Sequence, residues 1–435
     1  MNISPCKTFA LDTLGCRLNQ AESESIARQL IERGYRITLD LSHASVYILN
    51  TCTVTHTADR KSRQLLRHAH RCNPCIMTMA IGCYAERNRN DILRSAGADI
   101  VLRNIEKESL IDILEGMELN SCDRKYDGEF LRTRSLVKIQ AGCNQYCSYC
   151  IVPFVRDREH SVPIDKVLDE IKSKIQMGYR EVVLTGTRIG SYSPRLDTLV
   201  SRILAETPIE RLRLSSLQPH EVKDELLSLF QNDRVCRHIH LPLQSGSERT
   251  LEQMKRPYFA ADYRNTIHRI RDAVPDIAVT TDVIVGFPGE TGDDFNENYR
   301  FCQEMDFSRM HVFPYSPRPG TAAASMPGRI DNRTTRERAN AMLHLACESS
   351  QRFIKRFTDR TMPVLWEQET DKNLWTGLTD NYIRVFTRSD QNLRNRLEEV
   401  QLSPYIDIKY KTPGLWADHM RNRKNASRIS DPYTN

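Results

Sequence analysis

Leu136-Val-Lys-Ile-Gln140-Ala-Gly-Cys143-Asn-Gln-Tyr-Cys147-Ser-Tyr-Cys150 joins a strand-like run to three cysteines spaced C-x3-C-x2-C. With 13 cysteines in 435 residues, such a triplet arises by chance about one time in a hundred. A C-x2-C pair such as Cys72–Cys75 arises about four times in ten, so it says little. Three thiolates on one loop can hold three irons of a four-iron cluster and leave the fourth open to a small chelating molecule. The competing reading is a zinc loop, which needs a fourth ligand. His160 is the nearest candidate, at an unconvincing spacing.

Working outward from this loop, strands are expected at Leu136–Gln140, Glu181–Thr185, Arg211–Ser215, His238–Leu243, Ala278–Val285 and Arg309–Pro314. Helices fit between them, among them Ile164–Met177, Val222–Phe230, Ala261–Ala273 and Asp294–Glu304. Six β/α units predict a partial parallel barrel over 134–360, with its chemistry in the loops after the strands.

Residues 1–117 carry a separate alternation. Strands at Thr8–Thr13, Tyr35–Leu39, Val46–Leu49, Ile76–Ile81 and Ile100–Leu102 alternate with helices at Gln20–Arg33, Ala58–His70 and Lys107–Leu114, which predicts a doubly wound parallel sheet. Cys16, Cys52 and Cys83 each follow one of these strands. Carboxyl ends of parallel strands share one edge, where ligands bind, so the three can converge on a second cluster. They can equally be ordinary buried cysteines. Cys6, Cys72, Cys75, Cys122, Cys236, Cys302 and Cys347 show no telling spacing. His68-Ala-His70-Arg-Cys72-Asn-Pro-Cys75 admits a zinc reading.

Residues 118–133 read as a polar linker or a connecting hairpin and Thr334–Phe357 as one long helix. Short strands at Val364–Trp366, Leu374–Leu378, Ile383–Phe386, Leu397–Leu402 and Tyr405–Tyr410 predict a small all-β barrel over 361–425, with 426–435 a tail. The chain is therefore α/β with a small β-barrel at its end. Its 40 % apolar share supports sizeable cores. The net charge of +6 permits a nucleic-acid partner without demanding one. No apolar run of membrane-spanning length and no secretory leader is expected, which predicts a cytoplasmic protein with no membrane partner. In that reducing compartment, 13 cysteines point to metal or redox chemistry over disulfides.

A series of motifs in one order carries a resemblance: Thr13-Leu-Gly-Cys16 with Asn19 and Gln20, Asn50-Thr-Cys52-Thr-Val54, Gly82-Cys83, Gly142 to Pro153, Ser215-Ser-Leu-Gln-Pro219, His240-Leu-Pro-Leu-Gln-Ser-Gly246, Asp282-Val-Ile-Val-Gly-Phe-Pro-Gly-Glu290 and Phe313-Pro-Tyr-Ser316. The chain resembles, over nearly its whole length, the radical S-adenosylmethionine (SAM) methylthiotransferases. That resemblance implies two [4Fe-4S] clusters, on Cys143, Cys147 and Cys150 and on Cys16, Cys52 and Cys83. It implies two SAM molecules per turnover, one donating a methyl group to a sulfur held on the second cluster and one cleaved to a radical. It also implies an electron donor, a sulfur source and a C-terminal TRAM domain, which Gly377–Val385 resembles. Thr53 to Arg63 most resembles the branch acting on N6-threonylcarbamoyladenosine beside the tRNA anticodon, at carbon 2 of the adenine. Related branches act on isopentenyladenosine or on a ribosomal-protein aspartate. Asp157 and His160 depart from the family's usual glycine and arginine.

Weaker candidates complete the reading. Tyr149, Thr185, Gly186, Gln244 and Asp282 stand where SAM contacts are expected, or serve as packing, turn and cap residues. Arg60, Arg63, Arg67 and Arg71 form one helical stripe that can track phosphates of an anticodon stem-loop, or simply be a solvated face. The alternative from another class is a non-catalytic iron–sulfur redox sensor that binds RNA.

Overall fold

The computed structural model describes residues 7–117, 132–156, 158–406 and 413–418. The linker expectation therefore lies mostly, and the tail wholly, outside the described residues, as do Cys6, Cys122 and Asp157. No helix among the described residues is long and apolar enough to cross a membrane.

The N-terminal sheet holds β1 (Thr8–Thr13), β2 (Arg36–Ile37), β3 (Val46–Thr51), β4 (Met77–Gly82) and β5 (Ile100–Val101), all parallel, in the order β2-β1-β3-β4-β5. Strand β3 is buried at every position, because helices cover both faces. Tyr47 and Leu49 pack with Leu66 and Ala69 of α2 (His56–Cys72), while Val46 and Ile48 pack with Ile26 and Leu30 of α1 (Arg17–Glu32). This is why Val46-Tyr-Ile-Leu49 reads as an unbroken apolar run. The expected strand Tyr35–Leu39 shrinks to two residues at the sheet edge, where only one neighbour offers hydrogen bonds.

The central region is built from β6 (Arg134–Lys138), β9 (Glu181–Thr185) and β10 (Arg211–Leu214), then β11 (His238–His240), β12 (Ala278–Val285) and β13 (Arg309–Pro314). These form two parallel three-stranded sheets, β10-β9-β6 and β11-β12-β13. Parallel bridges Leu212↔Val235 and Ser216↔His240 join them into a partial barrel. The expected strand Leu136–Gln140 is broken at Ile139. Beyond the break, β7 (Gln140–Ala141) pairs antiparallel with β8 (His160–Ser161) and closes the base of the cysteine loop. Helix α1 lies against this barrel, with Ala21 packed on Leu136 and Val183.

The helix Asn332–Lys355 is capped by Asp331, whose carboxylate accepts from Arg333 N and Thr334 N at 2.9 Å. It leads into a closed barrel of β14 (Thr361–Asp371), β15 (Leu374–Thr379), β16 (Arg384–Arg388), β18 (Pro413–Asp418) and β17 (Leu397–Ile406). Closure removes the exposed edges that an open sheet of this size would present. Of the expected final strand Tyr405–Tyr410, residues 407–410 lie outside the described residues, and the expected break before Tyr405 is absent. Residues 405–406 finish β17, and Pro413–Asp418 pairs back on that strand. Pairing partners, not local β-propensity, set this boundary.

The two barrels meet through ions. Glu181 pairs with Arg213 at 2.7 Å and Arg211 at 2.9 Å, all three buried. Both arginines donate on to carbonyls of the β15–β16 turn: Arg211 to Leu378 and Thr379, and Arg213 to Thr379 and Asp380.

Candidate active site

The register Thr13↔Asn50 and Thr51↔Gly82 levels the carboxyl ends of β1, β3 and β4. Cys16, Cys52 and Cys83 leave the sheet together there, beside the β1–β3 switch point where open α/β sheets bind ligands. Cys16 is the residue preceding α1, and Cys83 opens the short helix α3 (Cys83–Arg87). Asn19 donates to Leu14 O at 2.8 Å and Thr51 O at 3.0 Å, and Asn50 donates to Asn19 O at 2.9 Å. These bonds tie the loops that carry Cys16 and Cys52. The backbone is tight enough that a Cβ on Gly15 would stand 2.9 Å from Cys52 Sγ.

Gly82 has φ +95° and no room for a side chain, since a Cβ would meet Asn50 Oδ1 at 2.4 Å and Thr51 O at 2.5 Å. Gly82→Ala is expected to cost about 2–4 kcal/mol, combining the left-handed backbone with overpacking. The denaturation midpoint measures this.

Burial pushes the Cys52 thiol up to about 12; the nearby Cys83 and Cys16 thiols add to the rise against a hydrogen bond from Val54 N. Burial also raises Cys83, opposed by the Arg156 guanidinium.

The barrel triplet occupies the loop closed by β7 and β8. Ser148 N donates to Met254 O at 3.0 Å, Ser148 Oγ to Gln253 O at 2.7 Å, and Ala323 N to Ser148 O at 2.7 Å. Burial pushes Cys150 up to about 12, with Cys147 and Cys143 adding to it, and burial raises Cys143. Arg256 Nη1 donates to Cys147 Sγ at 3.1 Å. Neither cysteine set brings its three sulfurs within 4.8 Å of one another. A single tetrahedral zinc ion would draw them to about 3.8 Å. Each set thus offers three thiols spaced too widely for one ion and an arginine donor, with Cys16 exposed and the other five buried or half-buried, a donor set that suits the several metal atoms of a cluster better than a single ion. The stretch from His68 to Cys75 does not converge either. His70 Nε2 bonds Gly97 O at 2.7 Å, while His68 faces Cys72 at 3.5 Å.

One arginine joins the two cysteine sites. The short helix Val152–Val155 follows the triplet, and Ile151 and Val155 pack directly on Cys83. Arg156 then donates to Glu22 at 2.5 Å, to Asn19 Oδ1 and to the Cys83 thiol. Glu22 is buried, which favours its neutral form, but Lys107, Arg156 and Lys138 outweigh this and hold its carboxyl at about 2. A second tie runs through Arg318, buried against Asp59 at 2.5 Å and Thr53 Oγ1 at 2.8 Å. Arg156 opens the loop whose Asp157 and His160 depart from the family pattern, but no sequence signal announced Arg256 or Arg318, since the partners of Arg318 lie up to 265 residues away.

Between these parts lies a cavity of about 1270 Å³. Cys16 and Arg17 line one side and Thr185, Gly186, His240, Asp282 and His311 the barrel side; Tyr382 and Arg384 of the terminal barrel line the floor. Asp282 accepts from His240 Nε2 at 3.2 Å and His311 Nδ1 at 3.1 Å. Burial opposes its ionisation, yet these two hydrogen bonds hold its carboxyl well below the usual range. The three ligating atoms lie within 4.8 Å of one another, but mutual hydrogen bonding already satisfies the carboxylate. Tyr382 stacks on His238 at 4.5 Å and has the guanidinium carbons of Arg213, Arg134 and Arg17 5.0, 5.7 and 5.9 Å from its ring centroid. Burial raises the phenol, but the charges of Arg17, Arg134 and Arg213 prevail and bring it down to about 8. Tyrosinate absorbance is therefore expected to gain a component near pH 8 that Tyr382→Phe removes. Because the folded value lies below the ordinary 10, this group adds stability fully only above pH 10, and the addition is lost as pH falls through 8.

The other expected residues fall as follows. Tyr149 packs on Met254, Ile284, Phe287 and Ala323. Thr185 ends β9, and a Cβ on Gly186 would meet Gln140 O at 2.8 Å. Gln244 has φ +69° and exchanges backbone hydrogen bonds with Asp282 and Ile284 at 2.8 Å. The arginine stripe is divided. Arg63 pairs with Asp91 at 3.2 Å and is half-buried, while Arg60, Arg67 and Arg71 are exposed and Arg67 also bonds Ser95 O at 2.8 Å. His160 begins β8, with Nδ1 3.0 Å from Arg158 O.

Residues 137–302 match the family described as the Radical SAM superfamily, and residues 8–103 match uncharacterized protein family UPF0004. The threonylcarbamoyladenosine tRNA methylthiotransferase of Bacillus subtilis is 34 % identical, over 91 % of this chain and 93 % of its own length. That of Aquifex aeolicus is 35 % identical, over 86 % and 95 %. The tRNA-2-methylthio-N(6)-dimethylallyladenosine synthase of Clostridium tetani is 33 % identical, over 86 % and 88 %. Among solved structures, the radical SAM methyltransferase TsrM from Kitasatospora setae superposes with a TM-score of 0.56 at 15 % identity, over 73 % of this chain and 77 % of its own. That likeness is one of fold.

Proposed function

This chain belongs to the radical SAM methylthiotransferases, and from that premise we propose that it inserts a methylthio group at carbon 2 of N6-threonylcarbamoyladenosine beside the anticodon of tRNA. The family's [4Fe-4S] cluster and SAM supply the reducing and radical chemistry that opens a carbon–hydrogen bond. In this chain Cys143, Cys147 and Cys150 would hold that cluster, with Arg256 donating to Cys147. Cys16, Cys52 and Cys83 would hold a second, sulfur-presenting one, with Arg156 donating to Cys83. Cys16 borders the cavity, so a base bound there lies next to that second site.

The observation that carries the substrate reading is the charge of the cavity. Arg17, Arg132, Arg134, Arg309, Arg384 and Arg394 line it against Asp282, Glu367 and Glu369. A threonylcarbamoyl group brings a carboxylate to these cations. An isopentenyl group would cover them with hydrocarbon and leave them partly desolvated and unpaired, which is costly. The relatives named for the threonylcarbamoyl base also include the first two of the three compared above.

The test is nucleoside mass spectrometry of tRNA from a deletion strain, with and without the gene restored. The expected result is loss and return of a methylthio mass on N6-threonylcarbamoyladenosine alone. The same change on isopentenyladenosine, or on a ribosomal-protein aspartate with tRNA unchanged, would sink the substrate reading.

A further inference from the structure

Most of the cavity's charge is unbalanced. Arg134 pairs with Glu367 at 2.7 Å and Arg132 with Glu24 at 3.6 Å. Among the described residues, Arg17, Arg309, Arg384 and Arg394 have no carboxylate partner. Asp282 is engaged by its two histidines, and Glu369 accepts from Asn373 N at 2.6 Å. Arg17 is the most telling of the four. It is half-buried and follows Cys16 directly, and among the described residues its side chain has as its one hydrogen-bond partner the Tyr382 phenol at 3.0 Å. Its surroundings add further cations, since Arg134 and Arg213 flank the same ring. Below about pH 8 the Tyr382 phenol keeps its proton, so this half-buried guanidinium is an incomplete ion pair there, and its remaining N–H groups suit a planar carboxylate in bidentate fashion.

We propose that Arg17 and Tyr382, with Arg384 beside them, form the seat for the carboxylate of the modified base and so select an anionic base over an apolar one. This rests on the substrate reading above and adds the residues that enforce it. The arrangement has a geometric consequence. The seat joins the N-terminal sheet to the terminal barrel, through residues 365 apart in the chain, so a base held by its carboxylate is fixed relative to Cys16. A phosphate of the anticodon loop presents related chemistry, and the experiment separates the two sources.

The experiment uses the full-length reconstituted protein and three synthetic anticodon stem-loops, bearing N6-threonylcarbamoyladenosine, its carboxamide analogue, or plain adenosine. The specificity constant kcat/KM is measured on the first two and binding on all three, for the parent, Arg17→Gln, Tyr382→Phe and Arg384→Gln. Iron content is determined for each, since Arg17 adjoins a cysteine of the site. The parent is expected to prefer the carboxylate over the carboxamide by about 10- to 100-fold, the worth of charge-assisted hydrogen bonds. Arg17→Gln should collapse that ratio toward one. Tyr382→Phe and Arg384→Gln should lower it with iron unchanged, and this keeps the test decisive if Arg17→Gln loses iron. Binding of the adenosine loop should not follow the ratio. A parent that modifies the threonylcarbamoyl loop yet ignores the carboxamide change overturns the seat while the substrate reading survives. Equal losses on all three loops identify a phosphate contact and also overturn it. A parent inactive on the threonylcarbamoyl loop but active on an isopentenyl loop overturns the substrate reading itself.

Discussion

Replacing Cys16, Cys52 and Cys83 together by alanine is expected to lower bound iron from about eight to about four atoms per chain after anaerobic reconstitution. SAM cleavage should persist and methylthio transfer should vanish. The argument is structural separation. The two cysteine sets stand on different sheets, and the barrel loop is held by its own bonds from Ser148 to Met254 and Gln253. Emptying the N-terminal set therefore leaves the other intact. The dependence is not fully symmetric, because Arg156 would lose the Cys83 thiol while keeping Glu22 and Asn19. Iron and sulfide analysis with product chromatography reads the result. About four irons in both parent and variant would mean that the N-terminal cysteines hold no cluster, and would reduce the chain to a generic radical SAM enzyme.

Glu181→Gln should produce the largest loss of stability, about 3–5 kcal/mol at neutral pH. Removing one partner of a fully buried ion pair strands the other charges. Arg211 and Arg213 would be left buried with only carbonyl acceptors in the terminal barrel. Burial raises the Glu181 carboxyl, but Arg213, Arg211 and Arg134 outweigh that and bring it to about 2, from an ordinary 4.5. The stabilisation is thus fully present above pH 4.5 and fades as pH falls toward 2, so parent and variant should converge in acid. The three tryptophans, Trp366, Trp375 and Trp416, all lie in the terminal barrel. Their fluorescence therefore reports on the unit that Glu181 helps to dock. A variant with an unchanged denaturation midpoint at pH 7 would contradict the ledger of charges at this joint.

Much of the fold was legible because its signals are local. Runs such as Val46–Leu49 and Ala278–Val285 declare strands, and the triplet after Leu136–Gln140 marks the loop where barrel chemistry sits. The misplacements occurred where partners decide the outcome. The strand break at Ile139 follows from the β7–β8 pair, and the run of β17 unbroken through Ile406 follows from its pairing with Pro413–Asp418. The arginine stripe shows the same limit. The four arginines do share one helix, yet Arg63 and Arg67 bond to Asp91 and Ser95, each 28 positions on, which periodicity does not describe.

The sequence by itself determined the α/β class, the terminal β-barrel, the C-x3-C-x2-C loop and the family, since each depends on covalent spacing or on the order of motifs along the chain. Only the tertiary structure decided what those parts enclose. Parallel register brings Cys16, Cys52 and Cys83 to one edge, Arg156 reaches the Cys83 thiol from the segment that follows the barrel triplet, and Arg17 meets Tyr382 on the wall of a common cavity. These contacts join residues up to 365 positions apart. Their energy comes from burial and charge pairing that exist only once the sheet and both barrels have docked, so no local pattern encodes them.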